Sequence, residues 1–198
     1  MKTKLLSIGC NRKLGKKVAV FNLPQGKTCP GKTALCREIC YAAKAERMYP
    51  AAAAMRARNL AAAEKDTFVD DMIAEITVFA MSGGTRVRFH ESGDAYNQAY
   101  LNKLFQITEA FPSLTFLMYT KSFKLNWTCK PSNLMVYWSI DSSTHEPVPA
   151  GLTASIVLRG ETPPAGAQTC IHTSNKHYCG TECHTCWLGR VNVYFPQH

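Results

Sequence analysis

Cys29, Cys36 and Cys40 fall together in TCPGKTALCREICYA, a segment that also carries Lys and Arg. Cys36 and Cys40 are four apart, which on a helix puts them on one face about one turn from each other, and the Pro30-Gly31 turn folds Cys29 back toward them. Convergent thiolates are what a tetrahedral zinc or a cubane iron-sulfur cluster requires. Three from one segment leave a fourth position for another residue, water or a substrate. The competing reading is three reduced cysteines packed as small hydrophobes.

A second array, Cys170, Cys179, Cys183 and Cys186, stands in TCIHTSNKHYCGTECHTCW. Four thiols suffice for a closed site, and the two-residue gap between Cys183 and Cys186 is that of a metal knuckle. Pro163, Pro164 and Gly180 mark a loop-rich setting in which metal would substitute for a missing core, with His172, His177 and His184 as alternative ligands. Cys10 and Cys129 are isolated and read as packing residues, Cys10 being near enough in sequence to act as a fourth ligand.

The wider composition agrees with metal ligation. Nine cysteines and an amino terminus, MKTKLLSIGCNRK, whose apolar core is too short for a secretory signal, point to reduced thiols in the cytosol rather than disulfides. The formal charge of +9 counts cysteines as neutral. Each four-thiolate site would carry roughly −2, leaving a moderately basic surface compatible with nucleic acid or a small anionic substrate. No apolar run has the length of a membrane span.

The residues Gly26, Gly31, Lys32 and Thr33 also satisfy the pattern of a phosphate-binding loop between a strand and a helix, with Asp141 available as a magnesium-side carboxylate. Pro30 removes an N–H from that cradle, and Cys29 would put a thiolate where phosphate oxygens lie. Nucleotide binding is therefore ranked below thiolate-metal chemistry.

The elements that must position these groups follow from periodicity. A strand is expected over Val18 to Leu23, a helix from a Thr33 cap through Arg47, and a second helix over Ala51 to Lys65. A third covers Phe68 to Met81, with a core stripe at Phe68, Met72, Ile76 and Phe79. Alternation over Thr85 to Phe89 gives a strand ending in HESGD, and a helix covers about Tyr96 to Ala110. Strands at Thr115 to Thr120, Leu134 to Ile140 and Thr153 to Leu158 follow, with a short helix between the first two. The pattern is that of a single α/β domain over residues 1–198 with a largely parallel sheet, its Cys-rich segment 160–198 packed on the same domain.

Such sheets gather ligands at the carboxyl ends of their strands. Those ends carry the cysteine loop, then His90, Glu91 and Asp94, then Lys121, Asp141 and Arg159. The candidate catalytic set is His90, Glu91, Asp94, Lys121 and Asp141, with Ser92, Gly93 and Arg159 as cofactor contacts. Taken singly each is equally a cap or a solvated polar group.

The succession KLGKKVAVFNLPQGKTCPGKTALCREICYA, RVRFHESGD, FLMYTKS, SID and CGTECHTCW resembles the phage and plasmid family called gene product 88, from about Lys13 to Trp187. More distantly it is similar to the radical S-adenosylmethionine enzymes, in which a three-cysteine loop after the first strand of a partial barrel holds a four-iron four-sulfur cluster. That resemblance implies an incomplete TIM-like barrel, since a complete one takes about 250 residues, a 4Fe-4S cluster on Cys29, Cys36 and Cys40, and S-adenosylmethionine as a further ligand. The expectation is an iron-sulfur protein, an enzyme on a small substrate if the open iron is used. The alternative is a zinc-stabilised nucleic-acid-binding or replication-associated module, with a phosphate-loop nucleotide binder third.

Overall fold

In a computed structural model of the chain, the residues described are 4–148, 153–158, 165–171, 179 and 181–196. Strands β1 (Ser7–Ile8) and β2 (Val18–Phe21) precede helices α1 (Ala34–Glu38), α2 (Tyr41–Met48), α3 (Pro50–Ala63) and α4 (Phe68–Met81). Strand β3 (Arg86–Phe89), helix α5 (Gln98–Glu109) and strands β4 (Thr115–Thr120), β5 (Leu134–Asp141) and β6 (Thr153–Leu158) follow. The described chain ends with β7 (Gln168–Thr169), helix α6 (Thr185–Leu188) and β8 (Val193–Pro196). All eight strands form one sheet in the order β1-β2-β3-β4-β5-β6-β8-β7. Among the described residues only the β1–β2 pairing is antiparallel. The chain is thus a mixed α/β structure on a single, mostly parallel sheet.

Period-two alternation gives that sheet two different faces. Phe21, Val87, Phe89, Phe116 and Met118 share one buried core with Leu60, Phe68, Met72, Ile76, Leu101 and Leu104, so α3, α4 and α5 cover one face. On the other face Val18, Val20, Leu117, Tyr137 and Val193 pack with Leu14 and Trp187. The stripe expected on the third helix is therefore the buried face of α4.

Several expectations need correction. The single helix through Arg47 is broken: α1 ends at Glu38, Cys40 is extended (φ −61°, ψ 101°), and α2 begins at Tyr41. Cys36 and Cys40 therefore do not share a helical face. Tertiary ties override the continuous helical pattern, because Thr33 caps α1 and bonds Asp141, while Arg56 of α3 donates to the Ala42 carbonyl and pairs with Glu46 at 3.0 Å. The short helix expected between β4 and β5 is a run of turns. There Asn133 donates its side-chain amide to the carbonyls of Thr108, Phe111 and Leu114, fixing an irregular connection to the end of α5. Strand β2 stops at Phe21, since the Leu23 amide bonds the Ser92 carbonyl instead of a neighbouring strand. The carboxyl-terminal segment is more than a loop, for β8 inserts between β6 and β7. Cys10 and Cys129 are exposed, not packing residues.

Candidate functional site

Parallel pairing from β2 onward sends every following loop to one end of the sheet, and the cysteine loop and HESGD meet there. Gly93 (φ +83°) sits so close to the residues leading into the cysteine loop that a Cβ would lie 2.6 Å from both Leu23 Cβ and Thr28 Oγ1. Gly31 approaches the next strand end just as tightly, a Cβ there falling 1.9 Å from the Lys121 carbonyl oxygen. Both contacts need glycine because backbone or a short side chain stands where a Cβ would go.

The polar groups are arranged in layers behind this junction. Asp94, 5% exposed, accepts from Thr120 Oγ1, the Lys121 amide and the Ala95 amide. Burial pushes its carboxyl up to about 6, held from going further by these hydrogen bonds. Lys121 Nζ pairs with Asp141 Oδ2 at 2.7 Å and donates to the Ser139 carbonyl. Thr33 Oγ1 donates to the same Asp141 oxygen at 2.7 Å. Burial would raise the Asp141 carboxyl, but the hydrogen bonds from Lys121 and Thr33 outweigh it and hold it below the usual carboxylate range.

His90 is in the left-handed region (φ 64°) and 3% exposed, with Nε2 2.8 Å from the Tyr100 hydroxyl and Phe21 and Phe89 beside the ring. Burial, then the Arg88 charge, lowers its pKa to about 3, so the imidazole is neutral. Its Nδ1 is buried with no hydrogen-bond partner among the described residues. Glu91 is gripped by amides: Asn11 and Asn22 donate to its carboxylate, and Tyr41 donates to its backbone carbonyl. Ser92 donates to the Leu23 carbonyl at 2.8 Å.

These groups border one cavity of about 630 Å³, and the thiols of both arrays line it: Cys29, Cys36 and Cys40, with Cys170, Cys179, Cys183 and Cys186. Burial pushes the Cys29 and Cys186 thiols up to about 11, and each group's thiolates would raise its neighbours further. The far array is pinned by backbone and indole bonds, Cys179 N–H to the Lys13 carbonyl at 2.7 Å and Trp187 Nε1 to the Cys179 carbonyl at 2.9 Å. Among the described residues no three His, Cys, Asp or Glu side chains are arranged to hold a metal ion. The donors are gathered around a common space without converging on a point. Arg159, His172 and His177 lie outside the described residues, and His184 is engaged with Arg86 Nη2 at 2.9 Å.

The cavity also contains residues that the sequence reading passed over. Arg88 and Tyr119, from the second faces of β3 and β4, line it. The alternation in RVRF was the available signal: it gave Arg88 a face opposite to Val87 and Phe89, but not that this face borders a cavity.

A family model described as Gene product 88 matches residues 3–189. No curated protein and no solved structure is significantly similar to the chain. No helix among the described residues is long and apolar enough to cross a membrane.

Proposed function

The chain belongs to the Gene product 88 family, and from that premise we propose an iron-sulfur protein whose cluster is carried by Cys29, Cys36 and Cys40. Cys170, Cys179, Cys183 and Cys186 supply further thiolates or a separate zinc site. The observation that carries this reading is that two cysteine groups distant in sequence line one cavity, while the two isolated cysteines are exposed elsewhere. Packing alone gives no reason for seven thiols to collect there. Donor chemistry fits soft metals, since thiolates select zinc and iron-sulfur clusters. A mostly parallel sheet that runs in chain order from β1 to β6, with helices on one face and a cavity on the other, supports a partial barrel, and we read the fold so.

When bound, a cluster with an open iron would supply Lewis acidity or electron transfer to a small substrate, S-adenosylmethionine being the ligand that the more distant likeness adds. The chain's own residues would hold protons and charges around it. Asp94, whose carboxyl titrates near 6, is suited to hold or release a proton near neutrality, whereas His90 is too weak a base to do so. Lys121, anchored on Asp141, presents a fixed positive charge at the wall. The protein is expected to work in the cytosol.

One observation favours the phosphate-loop reading, the Thr33–Asp141 contact. Other contacts oppose it. The Cys29 and Lys32 amides bond Gly26 and Cys29 carbonyls within the loop, Lys32 Nζ donates to the Gly26 carbonyl, and Lys121 already neutralises Asp141. The cradle donors are therefore engaged. Lys32→Ala is expected to keep its metal and fold, and Cys36→Ser to lose metal, with elemental analysis of anaerobically purified protein as the check. Magnesium-dependent ATP binding that vanishes in Lys32→Ala would reverse this ranking, because a phosphate-loop lysine contacts the β and γ phosphates.

A further inference from the structure

Arg88, on the second face of β3, lines the cavity. Its guanidinium lies 5.0 Å from the centroid of the Tyr119 ring. Tyr119 is in turn edge-on to Phe195 at 5.8 Å. The Arg88 Nε is buried without a hydrogen-bond partner, and no carboxylate among the described residues pairs with the group. Tyr41, Tyr119, Glu91 and Cys186 all favour its charged form, and the one carboxylate among them, Glu91, has its two oxygens engaged by Asn11 and Asn22. Lys121 and Arg56, the other cavity cations with ion pairs, have Asp141 and Glu46.

Arg88 is half-buried, and its Nε is sealed from solvent without a hydrogen-bond partner, which leaves a donor to satisfy. Its planar donors match the two oxygens of a carboxylate or phosphate. The aromatic and aliphatic floor formed by Leu117, Tyr119, Val193 and Phe195 would take an apolar body next to that anionic head. We propose that Arg88 is the receptor for the oxyanion group of a small substrate, a carboxylate or phosphate, bound on the inner face of the sheet beside the cysteines. The proposal deepens the preceding reading by giving its substrate a charge class, and it rests on the cavity being the working site.

Thermal unfolding of the metal-loaded wild type and of Arg88→Met and Arg88→Lys tests it, with inorganic phosphate or benzoate added against sodium chloride at equal ionic strength. Wild type is expected to gain several degrees with at least one anion, Arg88→Lys less, and Arg88→Met none. A response to phosphate alone assigns a phosphate ester, and one to benzoate alone a carboxylate. Equal anion shifts in wild type and Arg88→Met overturn the proposal, for phosphate stabilises proteins generally by exclusion from their surface. Loss of metal in Arg88→Met also overturns it, by making Arg88 the counter-ion of the thiolates. A wild type without iron but with an Arg88-dependent anion shift would sink the cluster reading alone.

Discussion

Lys121→Met should destabilise the protein by about 3–5 kcal/mol, the scale on which removing one partner strands a buried charge. The Lys121 and Asp141 side chains are 11% and 4% exposed and meet at 2.7 Å. After the substitution Asp141 would keep only the Thr33 hydroxyl and the local turn bonds from Ser143 and Thr144. That is too little to replace water and an ammonium. The loss should propagate, because Thr33 caps α1 and so ties the cysteine loop to β5 through the same carboxylate. Urea unfolding measures the effect. The double variant Lys121→Met with Asp141→Leu should recover most of it, as paired removal leaves no orphan charge. A single-variant loss below about 1 kcal/mol would class the pair with solvated surface bridges.

The second large effect is a pair of opposed pH dependences. His90 has its pKa lowered from 6.5 to about 3, so between these values the unfolded chain binds more protons and stability falls as pH falls. The slope is about 1.4 kcal/mol per pH unit. Asp94 is raised from 3.8 to about 6, so in that window the folded protein binds the extra proton and stability rises as pH falls, with similar slope. The two contributions offset each other between about pH 6 and pH 4. Asp94→Asn should therefore expose the His90 slope, while His90→Asn, which tolerates the left-handed backbone, should expose the opposite one. Parallel stability-versus-pH curves for the two variants would contradict the burial of both groups.

The same residues show what could be read in advance and what could not. TFLMYT and LMVYWSI were legible as strands because continuous apolar runs bounded by turn residues have few other uses in a parallel sheet. Right-handed parallel connections then required the cysteine loop and HESGD to share an end, and they do. The break at Ile39–Cys40 was not legible. The helices on either side of it are held by Arg56 reaching the Ala42 carbonyl and by Thr33 reaching Asp141, contacts with no local signature. Strand β8 was hidden because its four residues, VYFP, end in proline and follow a cysteine-rich stretch that reads as loop. His90 and Asp94 were placed at a strand end by sequence, where loop polar groups are usually solvated. Their burial depends on Tyr100, Thr120 and Lys121, all distant in the chain. Arg88 was visible only as an alternating charge, and its meaning depends on the second sheet face being a cavity wall.

What the seven cavity thiols hold decides whether this is an iron-sulfur protein. With the Cys29 and Cys186 thiols raised to about 11, metal must displace their protons, so occupancy should weaken as pH falls. The direct measurement is quantitation of iron, acid-labile sulfide and zinc in protein purified without oxygen. Iron and sulfide in equal, stoichiometric amounts, with a broad visible charge-transfer band, are the predicted result. Stoichiometric zinc with no sulfide, or protein free of metal in which all nine cysteines titrate as thiols, would contradict it.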